Sequence, residues 1–275
     1  RLTLPPELVE PLLRPDRAPA VLREALRLLT GVHDQRFVAA VSPFVHHEDL
    51  GVARLALMWL KQVGGDATAL EVQRQLKDDL SSPIAEKRAR AAYISGGYSI
   101  EPGLDLARMV HDPSQAVRQN AVQSMGQIGS PEYIDPLIDC LGRGDLVQPA
   151  SQALYRYGEA LVQSVRDRLF DRPPNPAIQL RLLRIVERFG TNEAVAFLMS
   201  QAEAPSSLVR NNAVASLWRL ARDPDAPRPP HVWVKRRVVQ EIELLRRYQA
   251  LEQLAGGQSL RHVFFLSELQ GMRLQ

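Results

Sequence analysis

Seven positions that read as helix ends recur along this chain at nearly constant separation: Gly31, Gly64, Gly97, Gly129, Gly158, Gly190 and Ala221. The gaps between them are 33, 33, 32, 29, 32 and 31 residues. A period of that length constrains the fold more than composition does, because each repeat must be one helical unit stacked on the next. The stretch from Asp112, DPSQAVRQNAVQSMGQIG, reads as a turn and an amphipathic helix ending on Gly129. The following SPEYIDPLIDCLGRGD carries Ile134, Leu137, Ile138 and Leu141 at helical spacing and reads as a second helix. Glycine suits the position just past a helix end, where a left-handed backbone carries no Cβ clash. Pro83, Pro113 and Pro205 are expected to open first helices, where a missing N–H costs nothing.

The buried positions repeat as well. Val117, Ala121, Met125 and Ile128 align with Val52, Ala56, Leu60 and Val63, with Ile178, Leu182, Val186 and Phe189, and with Val209, Ala213, Leu217 and Leu220. Steps of three and four residues place each set on one helix face, and a lone unit cannot bury that face. The expected fold is therefore all-α, a solenoid of about six to seven helical pairs. Two units fit less well. Lys87 stands where an apolar residue is expected, and Pro149 is expected to interrupt its helix.

DPSQAVRQNAVQSMGQIG and PSSLVRNNAVASLWRLARD resemble HEAT repeats of the short, phycobilisome-lyase-like type, with a Val-Arg pair near the helix start. The resemblance covers residues 18 to 222. Residues 112 to 252 are also similar to the soluble HEAT extension of some bacterial major-facilitator and nucleotide-exchanger-like transporters, a resemblance that implies a cytoplasmic domain tethered to a membrane. A chain that starts at Arg1 and ends at Gln275 is compatible with an excised domain.

The expected organisation is a solenoid over 1–222, a Pro-rich connector over 223–230 (DPDAPRPP) and a helical cap over 231–275. In the cap, Val238, Ile242 and Leu245 form an apolar stripe among Lys235, Arg236, Arg237, Gln240, Glu243, Arg246 and Arg247. After Gly256-Gly257, an apolar patch of Leu260, Val263, Phe264, Phe265, Leu266 and Leu269 calls for cover.

Chemistry is hard to find. No GxSxG, phosphate loop or GxGxxG occurs, and the single cysteine, Cys140, sits among apolar helix positions as a small buried hydrophobe. Of six histidines only His47 precedes a glutamate, too few ligands for the di-iron site of the HEAT-like hydroxylases. His46 and His111 fall at equivalent turns, where a polar turn residue explains them. Asp112 reads as a helix cap, and Arg118 and Arg210 share one repeat position, which points to a structural role between repeats. No cofactor, metal or catalytic residue is expected.

The HEAT resemblance implies that the helix carrying the Val-Arg pair lines the concave side. Its non-core positions give the candidate surface: Arg90, Tyr93, Asn120, Gln123, Gln127, Gln152, Tyr155, Arg156, Arg181, Arg184, Arg188, Asn212, Trp218 and Arg219. It begins polar and becomes arginine-rich with interspersed aromatics, which suits a protein partner or acidic peptide. The HEAT resemblance also leaves open a DNA-binding or glycosylase-like repair protein, and a bilin-lyase-like subunit. Protein is preferred over DNA because Glu187 is expected to offset Arg188 and the first half of the strip is not basic, whereas a DNA groove gains affinity from every phosphate contact.

Overall fold

A computed structural model describes residues 6–63, 65–97, 106–171 and 175–254. Gly64 and the patch from Leu260 to Leu269 lie outside the described residues, as does the Leu245 side chain. The chain divides into two compact units, residues 1–226 and 227–275, with the division falling inside the proline run.

The first unit is two layers of helices. One layer comprises α2 (Pro19–Leu29), α4 (Leu50–Val63), α6 (Ala85–Ser95), α8 (Gln115–Ile128), α10 (Val147–Tyr155), α12 (Pro176–Glu187) and α14 (Ser207–Leu220). Across from it lie α3 (Val38–Val41) between two 3₁₀ turns, α5 (Gly65–Leu80), α7 (Leu106–Met109), α9 (Ile134–Cys140), α11 (Glu159–Asp171) and α13 (Asn192–Gln201). A short α1 (Pro6–Val9) precedes the stack. Each helix of the first layer touches the next, from α2 through to α14. The stacked pairs form an all-α, HEAT-like repeat solenoid.

The core follows the repeat. Val52, Ala56, Val117, Ala121, Met125, Leu182, Val186, Val209 and Ala213 are wholly buried. Each of the larger ones contributes about 1.5–3 kcal/mol of burial free energy. Trp59 is also fully buried, and its indole N–H donates to the Val32 carbonyl at 3.0 Å, so the bulkiest core residue leaves no polar atom unpaired. Ile128 and Phe189, expected in the core, are only half-buried.

Several local expectations change. Gly129, Gly158 and Gly190 adopt positive φ, as a helix-ending glycine should, but Gly31 and Gly97 do not. Gly97 is small for another reason: a Cβ there would strike the Arg54 side chain. Likewise, Gly126 on α8 faces Ala153 on α10 so closely that any side chain would overlap it. Pro149 does not break α10. It stands in the first turn, where the first backbone bond of the helix is made by Ala150, so its missing N–H has no role to lose.

Asp112 is not the helix cap either. Ser114 holds that position, and Asp112 accepts from the Ser114 N–H at 2.8 Å while pairing with Arg88 of the preceding repeat at 2.7 Å. Arg118 makes the equivalent pair with Asp145 of the following turn, also at 2.7 Å. Both guanidinium groups, and that of Arg210, grip their own opening turns as well. Arg88 donates to the Ser82 and Pro83 carbonyls, Arg118 to those of Asp112 and Pro113, and Arg210 to those of Ala204 and Pro205. These prolines sit one residue ahead of the cap rather than on the helix, and they offer the arginine a carbonyl. Arginine fits because its planar fork reaches two carbonyls and a carboxylate at once. The hydrogen bond from Arg88 holds the Asp112 carboxyl below its usual range, and the one from Arg118 does the same for Asp145.

The second unit is built on one long helix, α15 (His231–Leu254). Val238 and Ile242 of its expected stripe are exposed, and Arg237 pairs with Glu241 one turn on. Among the described residues no helix is long and apolar enough to cross a membrane.

Candidate functional site

All fourteen candidate residues lie on the layer from α6 to α14 or at its helix ends, but they separate into two groups. Five are tied into the scaffold. Arg90 is half-buried and donates to the Val45 carbonyl at 3.0 Å, and burial lowers its pKa. Asn120 donates to Ala89 of the preceding helix at 2.8 Å, and Asn212 to Leu208 of its own helix at 2.9 Å. Arg181 donates to the Leu141 carbonyl. Gln127 is held by packing alone: it is half-buried where α8 crowds Gly96, and its Oε1 is buried without a hydrogen-bond partner. Arg90, Asn120 and Arg181 satisfy backbone oxygens of neighbouring elements that would otherwise be left bare.

The remaining residues face solvent, with Tyr93 half-covered. Gln123 and Gln152 are exposed and neutral, while Arg156 and Arg184 are exposed and charged. Toward α14 the arrangement becomes specific. Tyr155 is 38% exposed; it stacks on Phe189 with ring centroids 5.3 Å apart, and the Arg188 guanidinium lies 4.3 Å from its centroid. Trp218, 44% exposed, carries Arg222 at 3.5 Å. Nearer the N-terminus Arg54 lies over the Tyr93 ring at 5.4 Å. All three separations fall within the range of a cation–π contact.

Arg188 is not offset by Glu187, contrary to expectation. Glu187 is gripped by two hydrogen bonds from Arg219 of the next helix, at 2.6 and 2.7 Å, and Arg219 also reaches the Ser216 hydroxyl at 3.0 Å. Burial works against the Glu187 charge, but the bonds from Arg219 and Ser216 prevail and hold its carboxyl below the ordinary range. Residues 187 and 188 point to different neighbours because consecutive side chains diverge around a helix.

Three members of this arrangement escaped sequence reasoning. Phe189 carries the spacing of a core residue. Arg222 follows Trp218 by four residues, the spacing at which helical side chains meet, so a local signal existed. Arg54 reaches Tyr93 across 39 residues, and no local pattern announces that contact. Burial lowers the Arg54 pKa; Tyr93 opposes that, and the like charge of Arg156 adds to it.

Cys140 is buried, and burial pushes its thiol up to about 11, so it stays protonated at neutral pH. It borders a cavity of about 210 Å³ with Val110, His111, Pro136 and Arg143. Among the described residues no three His, Cys, Asp or Glu side chains converge as metal ligands would.

The stacked helical pairs define an α-solenoid, and residues 76–155 match the family model for HEAT repeats. That match includes both irregular units, the one with Lys87 and the one with Pro149. No curated protein matches the chain. Among solved structures, an engineered protein is similar at 15% identity and a TM-score of 0.33, covering 78% of this chain and 68% of its own. Human deoxyhypusine hydroxylase in complex with glycerol is similar at 17% identity and a TM-score of 0.33, covering 80% and 86%. A second engineered protein is similar at 16% and 0.31, covering 78% and 96%. The fold assignment rests on the chain's own helices and the family match.

Proposed function

We propose that this HEAT-repeat protein is a non-catalytic scaffold that binds an acidic segment of a protein partner on the α10–α14 end of its first layer. The observation that carries the reading is the charge there. Arg156, Arg184, Arg188, Arg219 and Arg222 are all exposed on or at the ends of three neighbouring helices, and among the described residues Glu187 pairs with Arg219. Contact along the layer supports placing it on the concave side. Its helices touch from end to end, whereas in the facing layer only α11 and α13 do so beyond marginal contact among the described residues. A two-layer stack bends toward its closer-packed layer.

Duplex DNA suits this surface less well, because Gln123 and Gln152 are neutral and a duplex is held by phosphate contacts along its length. The test titrates oligoglutamate and a duplex of equal charge against the protein across a salt series. The reading expects oligoglutamate to bind, and to lose that binding in the Arg184→Glu/Arg188→Glu variant. Tighter duplex binding with a steep salt slope would sink it. The tethering implied by the transporter resemblance has a separate test: in fractionated host cells, an immunoblot band well above 30.8 kDa in the membrane fraction supports it, and a soluble band near 30.8 kDa ends it.

A further inference from the structure

Arg88, Arg118 and Arg210 hold one equivalent place, each the fourth residue past the N-cap of its helix. In the first two, Nη1 donates to two carbonyls of the opening turn at 2.8–3.0 Å. The opposite edge, Nε and Nη2, goes to a carboxylate of the next repeat: Arg88 to Asp112 at 2.7 and 3.0 Å, Arg118 to Asp145 at 2.8 and 2.7 Å. In Arg210 the first half of this pattern is complete, with Nη1 donating to the Ala204 and Pro205 carbonyls at 2.8 and 2.7 Å. The second half is open. Its Nε and Nη2 have no hydrogen bond or ion pair among the described residues.

The neighbouring positions are open in the same way, for α14 is the last helix of the first layer. By the shared core register, Gln119, Val122 and Gly126 of α8 correspond to Asn211, Val214 and Trp218. On α8 the first donates to the Asp145 main-chain carbonyl at 3.3 Å, the second is wholly buried, and the third lies against Ala153 of α10. On α14 Asn211 and Val214 are half-buried and Trp218 is 44% exposed. The indole also excludes another helix on the α10 pattern, because α10 occupies the space that any side chain at 126 would need. A non-helical segment is thinner, about 5 Å between strands against about 10 Å across a helix.

We propose that Arg210 and Asn211 form a docking site at the end of the layer for an aspartate in a non-helical segment of a protein partner. The carboxylate takes the Nε–Nη2 edge in two parallel hydrogen bonds. The same aspartate's main-chain carbonyl accepts from the Asn211 amide, as Asp145 serves both Arg118 and Gln119. Two turn carbonyls already fix the guanidinium, so little freedom is lost on binding. Glutamate sets its carboxylate one methylene further from its own carbonyl and meets both donors less well. Val214 and the Trp218 ring offer apolar cover to the residues that follow. Arg210 and Asn211 take no part in the acidic-partner surface described above, so the two sites fail separately.

The inner rung supplies the probe: a fluorescein-labelled peptide of residues 142–148, GRGDLVQ, titrated by anisotropy against the full chain. Changing its aspartate to asparagine is expected to weaken binding about tenfold, as loss of a charge-assisted pair should. Changing it to glutamate should weaken binding less. Arg210→Lys, which keeps the charge and removes the fork, is expected to weaken it by about the same tenfold. Should that variant loosen its own opening turn, the peptide substitutions still decide, because they leave the protein untouched. In nuclear magnetic resonance, the Nε–H signal that Arg210→Lys removes is the one expected to shift on titration. No binding, or binding indifferent to the aspartate, overturns the site. Binding lost in Arg184→Glu/Arg188→Glu but kept in Arg210→Lys moves the peptide to the layer face and also overturns it. Concentration-dependent self-association abolished by Arg210→Lys overturns the partner segment in favour of a second copy of this chain.

Discussion

Arginine serves opposite purposes in two regions of this solenoid. In α6 and α8 it holds repeats together: Arg88 and Arg118 are mostly covered, bonded to turn carbonyls and closed by Asp112 and Asp145. At the end of α12 and just past α14 it is displayed, with Arg188 and Arg222 lying exposed on aromatic rings. Position along the helix accounts for the difference. An arginine in the first turn reaches back into the preceding turn, where bare carbonyls await it. One at or just past the last turn points over the layer surface, with only its neighbours' side chains to meet.

The comparison breaks first on stability. Arg118→Ala removes the pair with Asp145 and strands two carbonyls, and it is expected to cost about 2–3 kcal/mol in urea unfolding. Arg188→Ala should change stability by no more than about 0.5 kcal/mol while weakening oligoglutamate binding. Equal losses from the two substitutions would erase the distinction between ladder and display. Overpacking gives the next effect: Gly126→Val, which forces α8 and α10 apart, is expected to cost about 1–3 kcal/mol.

Acid sharpens the same contrast. The folded pKa values of Asp112 and Asp145 lie below the ordinary carboxylate value of about 3.9, so their contribution is complete above that pH and fades as pH falls through the depressed values. The stability difference between wild type and Asp112→Asn should therefore stay constant above about pH 5 and shrink below about pH 4. A gap unchanged down to pH 2 would mean that folding does not lower the Asp112 carboxyl at all. The smallest effect is expected at Pro149→Ala, within about 0.5 kcal/mol, because that proline occupies a turn that needs no N–H.

The sequence displayed one half of this structure openly. Val117, Ala121, Met125 and their counterparts carry the repeat because burial on one face demands a fixed spacing, and spacing is visible in one dimension. The shared position of Arg118 and Arg210 was legible for the same reason. The fates of Asn120, Arg90 and Arg181 were not. Each occupies a surface position by periodicity, but a neighbouring repeat brings a bare carbonyl within reach, and only stacking decides which carbonyl that is. Phe189 failed in the other direction: its spacing is that of a core residue, yet it is only half-buried and stacks on Tyr155 of the adjacent repeat.

What the sequence determined by itself is the unit: its length, its buried face, its polar turns and hence an all-α stack, since these depend on contacts between residues close together along the chain. The tertiary structure alone decided which polar residues remain available. Glu187 paired with Arg219 instead of its neighbour Arg188, and Arg54 met Tyr93 from another repeat. Such pairings depend on how successive helices are offset as they pack, a geometry set by the sum of all the side chains between them and by no local pattern.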